Sequence, residues 1–219
     1  MICVNHVTKA FRGADVVSDV SMTFEPGRVT GLAGPNGSGK TMLMRMVAGL
    51  VGPSSGSIDV DGKAIGKDVP FPPSLGLLLE GPTFLGGYSG VDNLKMLASI
   101  KGLLDEKAIC SWIERVGLDP TDKRHYRKYS LGMKQRLGIA AALMEAPDVV
   151  MLDEPTNALD TSGVEMVRRE VCAVRDRGAT VILACHDANV LRELSDEIWY
   201  LAEGHIDGHE VLSKEARDE

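Results

Sequence analysis

Gly34-Pro35-Asn36-Gly37-Ser38-Gly39-Lys40-Thr41 satisfies the pattern G-x-x-x-x-G-K-[ST] at every fixed position. Val29 to Ala33, just before it, is a short apolar run, and a helical pattern follows it to about Ala48. Strand, glycine-rich turn and helix is the context that such a phosphate-binding loop requires, and a chance match has no reason to supply it. Glycines let successive backbone N–H groups turn inward on phosphate oxygens, while the following helix presents its positive end. In that frame Lys40 reaches the β and γ phosphates and the Thr41 hydroxyl ligates Mg²⁺. The eight residues Gly34 to Thr41 are therefore the expected nucleotide-binding loop.

Outward from the loop, Leu75 to Leu79, Val149 to Leu152 and Thr180 to Cys185 are apolar nearly throughout. That is expected of parallel strands covered on both faces. Ile198 to Leu201 is a further strand candidate near the end. Ile2 to Val7, Val16 to Phe24 and Gly56 to Val60, the last before the Asp61-Gly62 turn, mix polar and apolar residues and read as antiparallel strands of a side layer. From about Gly90 to Met144 the pattern is helical, and the charged tail from Lys214 is expected to fray. The predicted fold class is α/β, a P-loop NTPase with a mixed central sheet, an antiparallel side-sheet layer and an inserted helical subdomain. One domain, 1–219, is expected, with a sheet lobe at about 1–80 and 146–219 and a helical lobe at about 81–145.

A chain of 219 residues is long enough for one such domain. Its net charge of −7 argues against nucleic acid as the main partner. Cys3, Cys110, Cys172 and Cys185 are far apart and form no C-x-x-C pair, which suits reduced thiols in a cytosolic protein. No apolar stretch approaches the length of a membrane span, and Met1 to His6 lack the features of a signal peptide. The chain is expected to be soluble, so any action at a membrane requires another polypeptide to do the spanning.

In a parallel α/β sheet, ligands bind beyond the carboxyl ends of the strands. Four strand candidates here end in residues suited to phosphate chemistry: the glycine loop, Glu80, the pair Asp153 and Glu154, and His186. An acid directly after an apolar strand suits Mg²⁺, usually through coordinated water, and Asp153 is assigned there. Glu154 can accept a proton from an attacking water as general base. His186 can hydrogen-bond the γ-phosphate and help hold Glu154 and the water in line. Taken singly, an acidic pair after a strand is often a helix cap and a lone histidine is usually structural; together with the loop, those readings weaken.

At this point the chain resembles the nucleotide-binding subunits of ATP-binding-cassette (ABC) transporters over nearly its whole length. Val149-Val150-Met151-Leu152-Asp153-Glu154-Pro155-Thr156-Asn157-Ala158-Leu159-Asp160 resembles the family's second ATPase motif running into its D-loop, and His186 matches its switch histidine. Tyr129-Ser130-Leu131-Gly132-Met133-Lys134-Gln135-Arg136 resembles the motif that separates this family from other P-loop proteins. It departs from the usual Leu-Ser-Gly-Gly-Gln at Leu131 and Met133 but keeps Ser130 and Gly132. The resemblance places Ser130 and Gly132 against the γ-phosphate of ATP held by the opposite subunit. Ser130 is at the same time an ordinary helix N-cap candidate. Glu80 stands where the family usually has glutamine. A carboxylate there can ligate Mg²⁺ or position water, and its charge is expected to be offset by Mg²⁺ and Lys40 and to slow turnover.

The resemblance also matches Phe11 to the aromatic that stacks on adenine, where a core or hairpin aromatic is the alternative. Asp160 is matched to the dimer contact, where a helix cap is the alternative. Both variant motifs look most like the bacitracin- and multidrug-export branch. The implied function is an ATPase subunit that pairs with a second nucleotide-binding domain around two MgATP. It would power transport, expected to be export, through a separate integral membrane subunit from the cytoplasmic face. A soluble ABC ATPase acting in assembly, for example in iron–sulfur cluster delivery, shares every ATP motif and is the alternative; a nucleotide-binding regulator without turnover is a third. Lys123 to Lys128 reads as a solvated basic run, His205 to Glu210 as an exposed hairpin, and Asp105 to Val116 as a packed amphipathic helix.

Overall fold

The computed structural model describes residues 1–212, and the expected fraying from Lys214 lies outside them. Two sheets organise the chain. The larger has the order β10-β9-β3-β8-β7-β6, built from β3 (Val29–Ala33), β6 (Leu75–Leu78), β7 (Val149–Asp153), β8 (Thr180–Ala184), β9 (Glu197–Ala202) and β10 (His205–Val211). Its β3, β6, β7, β8 and β9 run parallel and β10 returns antiparallel, so the sheet is mixed as predicted.

Every residue of β7 and β8 is buried. Alternate residues face opposite cores, which is what a period of two requires in a sheet covered on both sides. Val150 and Leu152 of β7 join one core, with residues of α2 (Gly90–Ala98), α3 (Glu106–Arg115), α4 (Leu131–Leu143), α5 (Thr161–Asp176) and α6 (Ala188–Leu194). Val149 and Met151 join the other, with α1 (Lys40–Val47) and the side sheet. Burying a Val, Leu or Ile side chain fully is worth about 1.5–3 kcal/mol, so strands buried on both faces anchor the loops at their ends.

The side sheet is antiparallel, in the order β2-β1-β4-β5, from β1 (Ile2–Phe11), β2 (Ala14–Phe24), β4 (Ser55–Val60) and β5 (Lys63–Ala64). Several strands run further than the sequence pattern suggests, β1 the most. β1 continues past Val7 to Phe11, because register shifts after Val4, Val7 and Lys9 break the alternation without ending the pairing. Between β6 and β7 the segment holds α2, α3, a short 3-10 turn at Tyr126–Lys128 and α4, with no strand among its residues. Ile109 and Ile113 of α3 are buried and Trp112 packs beside them. The basic run Lys123 to Lys128 is anchored by the buried Tyr126, and its other residues are exposed.

Candidate functional site

The carboxyl ends of β3, β6 and β7 open on one cleft of about 540 Å³. Asn36 to Thr41, Arg45, Glu80, Asp153 and Glu154 all line it. The loop precedes α1, whose N-cap is Gly39 at φ 102° with no side-chain cap bond. A side chain at Gly39 would be strained at that φ, and its Cβ would stand 2.8 Å from the Val16 carbonyl. The first N–H groups of α1 thus face the cleft uncapped by any side chain, as an anion site needs.

Lys40 is buried to 7% exposure. Its ammonium donates to the carbonyls of Gly34 at 2.7 Å and Pro35 at 3.1 Å and to the Ser38 hydroxyl at 3.4 Å, none of them a charged acceptor. A strongly hydrated cation held this way, beside an open cleft, is set to receive an anion. Opposite it, the Thr41 hydroxyl donates to Asp153 Oδ2 at 2.7 Å. Asp153 is the last residue of β7, one position further into the strand than the sequence pattern places it. Burial pushes the Asp153 carboxyl above its ordinary value; the Thr41 hydrogen bond and the Lys40 charge pull the other way.

Glu154 follows at φ 51°, a left-handed turn that swings its side chain away from the strand direction. Its N–H donates to the Ala184 carbonyl at 2.8 Å, tying the turn to β8. One Glu154 oxygen, Oε2, lies 2.6 Å from His186 Nδ1. His186 follows β8 by two residues, so adjacent parallel strands bring the acid and the histidine together.

Gly34, Pro35, His186 and the remaining expected residues lie outside the cleft lining. Phe11 ends β1 at the β1–β2 hairpin, paired with Ala14, 46% exposed and with the Lys9 ammonium 5.0 Å from its ring centroid, so it is not a core residue and the hairpin alternative fits its place. Ser130 caps α4, accepting from the Met133 N–H at 3.2 Å, while its neighbour Leu131 is 67% exposed and reaches the cleft edge. A Cβ on Gly132 would stand 2.8 Å from the Ala158 carbonyl, so the close approach its glycine allows is made within this chain. Asp160 caps α5, accepting from the Gly163 N–H at 2.9 Å and from Ser162 and Arg136. The expected hairpin forms from β9 and β10, and His209 there stacks on Trp199 and bonds Glu197.

Two residues went unread in the sequence. Gln135 is buried in α4, and its amide donates to the carbonyls of Glu154 at 3.0 Å and Pro155 at 3.1 Å. Arg45 ion-pairs with Glu80, so the charge expected to be offset by Mg²⁺ and Lys40 has a protein partner of its own.

The sequence pattern of the ABC transporter family matches residues 17–157. The chain belongs to the ABC transporter family. It is 42% identical over 212 residues to the uncharacterized ABC transporter ATP-binding protein YybJ of Bacillus subtilis (strain 168), covering 97% of both chains. It is 34% identical to the lantibiotic transport ATP-binding protein SrtF of Streptococcus pyogenes, covering 98% of this chain and 91% of that one. To the bacitracin transport ATP-binding protein BcrA of Enterococcus faecalis it is 32% identical, over 94% and 68%. The fold matches the ATP-binding cassette MJ0796, solved as a dimer in a post-hydrolysis state with ADP and Pi, at a TM-score of 0.89 and 23% identity, covering 97% and 99%.

As an ABC transporter ATP-binding subunit the chain is an ATPase, with ATP as substrate and Mg²⁺ as cofactor. The cleft fits both. Thr41 and Asp153 offer hard oxygen donors side by side, and no group of three or more His, Cys, Asp or Glu among the described residues could cage an ion alone. Mg²⁺ is suited by one or two carboxylates completed by substrate phosphates and water. Among the described residues no helix is long and apolar enough to cross a membrane.

Proposed function

We propose that this chain is the ATP-hydrolysing subunit of an export system, closing face to face with a second nucleotide-binding domain around two MgATP. In this reading the whole of 1–219 is one ABC-type domain, with sheet residues at about 1–80 and 146–219 and a helical lobe at about 81–145. The loop Gly34 to Thr41 cradles the phosphates, and Lys40 balances the charge on the β and γ groups. Thr41 and Asp153 would hold Mg²⁺, which would supply positive charge against the polyphosphate, and Glu80, expected among its ligands, is paired with Arg45 and would position water there. Glu154 takes the proton of the water that attacks the γ-phosphorus, ADP leaves, and His186 fixes Glu154 in line. Phe11 offers its exposed ring to adenine. Ser130 and Gly132 meet the γ-phosphate bound by the opposite subunit, and Asp160 lies at the contact between the two.

The observation that carries this is the Glu154–His186 pair, 2.6 Å apart, in which Glu154 lines the same cleft as the phosphate loop. A base held by a second side chain, next to anion-binding N–H groups, is the constellation that water-mediated phosphoryl transfer needs. Export through a separate integral membrane subunit, at the cytoplasmic face, is supported by the lantibiotic and bacitracin transport relatives. The apolar groove beside α2, with Leu85, Leu97 and Ile100 exposed, is the surface offered to that subunit.

The test uses inside-out vesicles carrying this chain with the membrane protein that co-purifies with it. ATP is expected to drive peptide-antibiotic uptake into those vesicles. Glu154→Gln is expected to abolish uptake and hydrolysis while still binding ATP, and to accumulate as a closed dimer on size exclusion with MgATP. Normal hydrolysis by Glu154→Gln would remove the base assignment; uptake only into right-side-out vesicles would reverse the direction.

A further inference from the structure

The Arg45 guanidinium donates to a Glu80 carboxylate oxygen, linking the last turn of α1 to the segment that leaves β6. This pair stands between two hollows, because both residues line the phosphate cleft and both line the larger groove beside α2. Glu80 is held in the left-handed region at φ 58°, a turn that a non-glycine residue seldom makes. The side chains are 34% and 64% exposed, so the pair contributes little to folding.

Its effect is on charge in the cleft. Glu80 shares that cleft with the Asp153 carboxylate, and a nucleotide polyphosphate brings several more negative charges to the same place. Toward Asp153 the two partners act oppositely: the Glu80 charge disfavours the Asp153 anion and the Arg45 charge favours it. Lys40, the other cation of the cleft, is already turned onto the Gly34 and Pro35 carbonyls. A glutamine at position 80 would need no counter-charge, whereas a glutamate does.

We propose that Arg45 is a positioning residue for the nucleotide: it holds Glu80 in this ion pair and cancels its charge, so that polyphosphate enters a cleft whose extra carboxylate is already neutralised. The proposal rests on reading the cleft as the MgATP site. A guanidinium in the last turn of a helix also suits the helix's negative end. That role would make Arg45 matter equally whether residue 80 is acidic or neutral, and the two roles therefore separate in a double-variant cycle.

The full chain is prepared as wild type, Arg45→Gln, Arg45→Lys, Glu80→Gln and the Arg45→Gln/Glu80→Gln double variant. A fluorescent ATP analogue is titrated into each with Mg²⁺ and again in EDTA, alongside kcat, KM and melting curves. Arg45→Gln is expected to weaken nucleotide binding about tenfold and to raise KM more than it lowers kcat. Arg45→Lys is expected to keep most of the affinity, and the double variant to return to within about twofold of Glu80→Gln, with melting temperatures little changed. An undiminished loss when residue 80 is glutamine, or no loss at all in Arg45→Gln, overturns the proposal. Lys40→Ala in the same titration tests the underlying reading separately: wild-type affinity in that variant means that the cleft is not the nucleotide site, whatever the Arg45 variants do.

Discussion

Glu154 occupies a left-handed backbone conformation that costs a non-glycine residue about 1–3 kcal/mol, and the bonds around it show how that cost is offset. Its N–H donates to Ala184, and its carbonyl and that of Pro155 both accept from the buried Gln135 amide. Gln135 thus holds the turn that aims the base, without itself lying between Glu154 and His186. Gln135→Ala would leave two carbonyls without that partner and loosen the turn. Turnover measured at saturating MgATP is expected to fall about tenfold, with nucleotide affinity nearly unchanged, since misplacement of a reacting group costs rate before binding. Equal losses in affinity and rate would mean that Gln135 acts on the cleft as a whole. Neither Gln135 nor Arg45 was legible in the sequence. Each is a single polar residue on a helix, and its meaning comes from the strand end that packing brings opposite it.

At the scale of elements, helix caps set the geometry of the segment after β7. Asp160 caps α5 and also accepts from Arg136 of α4, joining the start of one helix to the first turns of another. The Gly163 N–H, then the Ser162 hydroxyl and Arg136, hold its carboxyl below the ordinary value. A depressed carboxylate stabilises the fold fully above its unfolded value, near pH 4, and loses that contribution as pH falls through the lower folded value. Asp160→Ala is therefore expected to melt lower than wild type at pH 7, with the gap narrowing in buffers below about pH 4. A gap independent of pH would show that charge plays no part in the cap. The strands that carry the site were readable because β7 and β8 are buried on both faces and leave uninterrupted apolar runs. β5, two residues long, left no pattern, and the bulges of β1 hid its second half. Ser130 was readable as a cap, but the approach of Gly132 to the Ala158 carbonyl depends on a loop 26 positions away and was not.

The whole molecule places two surfaces on either side of one short connection. Glu80 and Gly81 line both the phosphate cleft and the groove beside α2, and the chain between β6 and α2 borders that groove. This connection is tied at its far end, where the Leu85 N–H donates to Asn93 of α2 and the Tyr126 N–H donates to the Tyr88 carbonyl. A change at the phosphates can therefore reach the groove through a tethered segment rather than a loose loop. That arrangement is what an engine driving a separate partner requires, provided that the ATP site is completed by a second copy. The direct measurement mixes two inactive variants, Lys40→Ala and Ser130→Asp, the latter keeping a good N-cap while setting a negative charge against the phosphate. If ATP is gripped by Lys40 from one chain and by the Ser130 loop from the other, mixed dimers contain one intact site and phosphate release is restored on mixing. If the mixture stays as inactive as its components while a dimer forms, the site is not shared and the account fails.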